Sequence, residues 1–173
     1  MSMEVFNPDS PKILAACGND CAACPRYAAH PYEKTEEELR HTAELWMKIG
    51  YRDHLVTNEE IACSGCKPEN WCRYRAVNCC KEHGIKTCGA CEAYPCDNIQ
   101  QCFKVTKSFE PRCRQVCTDE EYHQLTKAFF EKKESCQVKY RKCVKQNTTK
   151  VSSEIPYFRI CRIGNSKSVG LEL

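Results

Sequence analysis

Apolar positions along this chain fall into helical repeats, separated by stretches that have no repeat at all. In TEEELRHTAELWMKIG, Leu39, Ala43, Trp46 and Ile49 make one stripe, Thr35 and Glu38 form a capping box, and Gly50 stands where a C-terminal cap belongs. A second box, Thr118 with Glu121, opens TDEEYHQLTKAFFEKKE, whose Tyr122, Leu125 and Phe129 share a face. Shorter helices are predicted in CRYRAVNCCKEHG, ending at Gly84, and in CDNIQQCFKVTKSF after Pro95. No alternating run is long enough for a convincing strand, so the expected class is mostly α.

The apolar content of those stripes is thin. The chain has 173 residues and 42% hydrophobic positions, but 17 of these are cysteine. Other apolar residues make up only about 32% of the chain, so something besides side-chain burial is expected to hold part of the fold. Disulfides are one candidate. Against them, the N-terminal MSMEVFNPDSPKILAAC lacks the basic and apolar regions of a secretory signal, and the cysteine total is odd. The expectation is a cytoplasmic protein with reduced thiols and no membrane span.

The cysteines cluster. ACGNDCAACPRY carries Cys17, Cys21 and Cys24; CSGC carries Cys63 and Cys66; CGAC carries Cys88 and Cys91. Two thiolates two residues apart on a tight turn grip one ion from the same side, and a second pair completes a tetrahedron. The glycine inside CSGC and CGAC is expected to take positive φ as each turn curls around its ion. Repeated pairs of this kind favour metal over disulfides or inert thiols. Trp46 is read as a core residue packing against the metal region.

In order, CGNDCAACPRY, a capped helix with a Trp near its end, CSGC and WCRYRAVNCCKEHGIKTCGACEAYPC resemble a Cys-rich prokaryotic family of unknown function that is described as zinc-binding. The resemblance covers about residues 14–100. It implies that Cys17, Cys21, Cys24, Cys63, Cys66, Cys72, Cys88, Cys91 and Cys96 are ligands, with Gly18, Asp20 and Pro25 part of the first motif. It implies no reaction. One departure is that Cys72 precedes Cys79 and Cys80 by more residues than the family's spacing; of the two, Cys80 is taken as the family position and added to the ligand set. The picture becomes a small Cys-rich, metal-organised domain at 11–130, with irregular zinc-knuckle loops and a C-terminal helix, followed by a basic, loosely ordered extension at 131–173. In that extension, IPYFRICRI has the apolar content to dock as a strand.

Other chemistry is weighed against this reading. The spacing of Cys17, Cys21 and Cys24 is also that of radical S-adenosylmethionine enzymes, but their barrel takes about 250 residues and this chain has no repeating strand–helix pattern. An iron–sulfur redox protein is the alternative, with Pro25 after Cys24 as in some ferredoxin motifs. There is no phosphate-binding loop and no nucleophile elbow. His83 is expected to complement a helix end, and Asp20 to accept backbone hydrogen bonds. All-cysteine donor sets suit closed structural sites and weigh against an enzyme.

Charge divides the chain. Residues 1–100 carry 11 Lys and Arg against 15 Asp and Glu, whereas the remainder is strongly basic. Lys132, Lys133, Lys139, Arg141, Lys142, Lys145 and Lys150 read as a solvated face or tail. Binding of nucleic acid through this segment is a weaker third reading. The partner expected of a non-enzymatic zinc module is an unidentified protein.

Overall fold

The computed structural model describes residues 11–137. The stretch IPYFRICRI, expected to be able to dock as a strand, and most of the basic extension lie outside them. The described chain is mostly helical: α1 (Glu36–Lys48), α2 (Asn58–Ile61), α3 (Ala76–Glu82), α4 (Asp97–Ser108), α5 (Glu110–Val116) and α6 (Asp119–Leu125). A wide turn of π type, Thr126–Phe130, follows α6, and the chain is helical again at 132–137. Extended pairing among the described residues is limited to isolated bridges, Leu14 with Asp20 and Tyr27 with Cys63. No helix of the described residues is long and apolar enough to cross a membrane.

Local sequence accounts for most helix ends. Thr35 caps α1 and Thr118 caps α6, each in a full reciprocal box with the glutamate three residues on. The same device at Thr57 and Glu60 fixes the short α2. The helix expected from Cys72 to Gly84 is shorter, because Arg75 takes a left-handed φ of 46° and α3 starts only at Ala76. α5 has no counterpart in the sequence reading. Its Pro111 resembles a breaker but sits in the first turn, where a missing N–H costs nothing.

The main core forms where these helices meet. Ala43, Leu45, Trp46 and Ile49 at α1 pack with Ile61, Cys113, Leu125 and Phe130. The Tyr51 and Phe109 rings stand 4.2 Å apart, and Trp46 meets Phe129 edge-on at 6.0 Å. Leu125 is 1% exposed. Leu125→Ala is expected to lower the stability of the metal-loaded protein by about 2–5 kcal/mol, read from the urea midpoint. A shift under about 1 kcal/mol would show that this core does not hold the fold.

The remaining chain is loop, tied by backbone hydrogen bonds. Ala28 N–H donates to Cys63 O (2.9 Å) and Cys63 N–H to Arg26 O (2.8 Å), joining the first cysteine loop to the second. Cys88 N–H donates to Ala16 O (2.8 Å), joining the third. Asp20 N–H donates to Ala128 O (2.9 Å), seating the first loop on the C-terminal helices.

Candidate metal centre

These ties bring the loops around one cavity of about 610 Å³. Cys17, Cys21 and Cys24 enter it from the first loop, and Cys63, Cys66 and Cys72 from the second. Cys102 enters from α4. Three segments far apart in sequence thus present seven thiols to one void. Trp46 lines it as well as belonging to the core.

The turns aim peptide dipoles at the sulfurs. The N–H groups of Arg26 and Tyr27 point to Cys24, that of Asn19 to Cys17 and that of Ala16 to Cys66. Such bonds favour the thiolate. Asp20 does what its position suggested: its Oδ1 accepts from Ile13 N–H and Ala22 N–H at 3.1 Å each, bracing the turn. Gly65 in CSGC has φ of 104°, as expected.

Gly89 in CGAC is not a positive-φ residue among those described, and its reason is different. A Cβ there would lie 2.3 Å from the carbonyl oxygen of Cys136. The glycine permits close approach of the 132–137 helix rather than a tight turn.

Burial and mutual repulsion oppose ionisation of most of these thiols in the metal-free chain. Burial, then neighbouring Cys24, Cys63 and Cys66, pushes Cys21 up to about 12. Burial does the same to Cys24, also to about 12, and raises Cys66. Cys17 is held below the ordinary thiol range, first by a hydrogen bond from Cys102 and then by the nearby Lys132 ammonium. Cys102 is raised correspondingly.

Lys132 departs from the reading of the basic run as solvated, whereas Lys133 is exposed and the members from Lys139 onward lie outside the described residues. Lys132 is 5% exposed, lines the cavity, and donates to Cys102 Sγ at 3.3 Å and to Thr106 Oγ1.

A second group of thiols adjoins the cavity at Cys17, which packs in one small cluster with Cys80 and Cys88. Cys80 Sγ and Cys88 Sγ are 3.8 Å apart, which is about the edge of a tetrahedron of sulfurs with 2.3 Å zinc–sulfur bonds. Cys91 and Cys136 are within electrostatic reach of this pair. Cys79 is instead beside His83, whose Nδ1 lies 2.9 Å from Cys79 O at the end of α3. Cys96 is exposed at the start of α4 and lines neither the cavity nor the pair.

The expected ligands are therefore divided: six in the cavity, Cys80, Cys88 and Cys91 in the second group, and Cys96 outside both. Cys102 and Cys136 were not singled out from sequence. Both sit on helices with irregular cysteine spacing, and the one available signal was Cys102 sharing a helical face with Ile99.

Among the described residues, no three Cys, His, Asp or Glu side chains are gathered closely enough to grip an ion as they stand. The cavity sulfurs surround a void instead of converging. Their chemistry nevertheless fits a thiophilic metal, because the donors are all soft and paired at ligand spacing, and peptide N–H groups support their charge.

A family model described as a protein of unknown function, DUF3795, matches residues 13–101. No curated protein and no solved structure matches the chain. The matched segment contains six of the cavity thiols; Cys102 and Lys132 lie beyond it.

Proposed function

The chain belongs to the DUF3795 family, and from that premise we propose that it is a metal-binding protein whose clustered cysteines hold zinc in a mainly structural role. One observation carries this reading: seven cysteines from three separate segments line one cavity whose walls are largely loop. Loops of this kind bury little apolar surface, so a crosslink between them contributes what the helical core does not. The Cys80–Cys88 pair supplies the start of a second site. Ligand thiols need a reducing compartment, which favours the cytoplasm. Closed all-cysteine sites weigh against catalysis and leave an unidentified protein partner as the expected target.

An iron–sulfur centre is the second reading, favoured by the cavity volume of about 610 Å³, which is more than a single ion between four thiolates fills. Bound zinc would supply only crosslinking, whereas a cluster would add electron transfer.

Elemental analysis of anaerobically purified protein, with its ultraviolet–visible spectrum, separates the readings. About two zinc per chain in a colourless solution is the expected result. Iron with sulfide and a visible band would replace zinc by the second reading, and metal-free protein would end both.

A further inference from the structure

The cavity is equipped for more than metal. Arg26, Arg52, Lys67 and Lys132 line it, and no aspartate or glutamate of the described residues does. A divalent ion on four thiolates carries a net charge of about −2, so these cations leave an excess of about +2. For this charge balance the inference rests on the metal–thiolate reading.

Two polar atoms add a second observation. Asn19 Oδ1 and Tyr74 OH are buried without a hydrogen-bond partner, and both residues line the same cavity. A buried polar group left unpaired is destabilising, and a ligand reaching it would offset that cost. Asn19 Oδ1 can only accept, so it calls for an N–H or O–H donor, whereas Tyr74 OH can donate.

A third observation concerns rings. Both tryptophans of the chain line the cavity, and Trp71 is 88% exposed, which places it at the mouth with its ring largely uncovered. A flat group stacking on it would cover that surface. The cavity volume of about 610 Å³ lies within the range of about 300–1,000 Å³ usual for small-molecule sites.

We propose that this cavity binds a nucleoside monophosphate. The phosphate, close to a dianion at neutral pH, matches the charge excess and meets the cations nearer the mouth, Arg52 and Lys67. The base stacks on Trp71, and its amino and ring nitrogen groups meet Asn19 and Tyr74. A plain anion would satisfy the charges but leave the ring surface and the orphaned polar atoms as they are.

The test uses the full chain with its native metal, titrated with AMP, GMP, CMP and UMP while calorimetry and tryptophan fluorescence are recorded. Saturable binding of at least one nucleotide is expected, with a fluorescence change, and its nucleoside and inorganic phosphate should each bind at least about tenfold more weakly. Trp71→Ala and the double variant R52A/K67A alter exposed side chains and should weaken binding by about tenfold or more with metal content unchanged. Absence of saturable binding by all four overturns the inference whatever the metal content. So does phosphate binding as tightly as the nucleotides, or both variants binding like the parent. Metal content measured on the same sample judges the metal reading separately, since missing metal defeats that reading whatever the nucleotides do.

Discussion

Cys21→Ser and Cys24→Ser are each expected to lower bound metal by about one ion per chain and to destabilise the loaded protein by several kcal/mol. The two residues share one turn, closed by Cys24 N–H donating to Cys21 O at 3.1 Å, and both face the cavity. Serine keeps the shape of the side chain but is a poor ligand for a soft metal. The loss should be local. The core of α1, α2, α5 and α6 contains no cavity cysteine, so far-ultraviolet circular dichroism should change little at 25 °C. Limited proteolysis should find new cuts in the cysteine loops at 11–34 and 62–75. Cys117→Ser is the control: that thiol is partly buried beside the core and outside the cavity, and its variant should keep all its metal. Unchanged metal and melting in both Cys21 and Cys24 variants would falsify a metal role for the first motif.

The second large effect belongs to Gly18→Ala. A Cβ at Gly18 would lie 2.4 Å from Lys132 O and 2.6 Å from Cys136 Sγ, and the residue has φ of +87°. A left-handed alanine costs about 1 kcal/mol by itself, and forcing a methyl into a packed contact adds about 1–3 kcal/mol. Backbone cannot step aside as a flexible side chain can, so a loss of about 3 kcal/mol is expected in urea denaturation. Gly50→Ala isolates the conformational part, since Gly50 has φ of +86° with nothing within 4 Å. It should cost only about 1 kcal/mol. If the two substitutions cost the same, the helix at 132–137 is not seated on the Cys17–Asp20 turn.

That contact also shows what a one-dimensional reading reaches. Capping boxes at Thr35 and Thr118 and the stripe through Ala43, Trp46 and Ile49 are local patterns, and the helices form where those patterns lie. Arg75 breaks its expected helix through a backbone conformation that no neighbouring residue announces. Pro111 hid α5 because a proline reads as an ending, although the first turn of a helix tolerates it.

The cysteine pairs were visible as pairs, but their sorting was not. Cys63 reaches the first loop through a bridge to Tyr27, while Cys88 is tied to Ala16 on the far side of that loop, and both arrangements depend on long-range hydrogen bonds. Lys132 looked like one charge in a basic run. Only packing against Cys102 and Thr106 removes it from water, and both contacts span more than twenty residues.

X-ray absorption at the K edge of the bound metal, recorded on anaerobically purified protein, tests thiolate ligation without any variant. A shell of sulfur neighbours at about 2.3 Å, with no oxygen or nitrogen shell, is the expected spectrum. A shell of oxygen or nitrogen donors, or protein with no metal to excite, would contradict the reading of these cysteines as ligands.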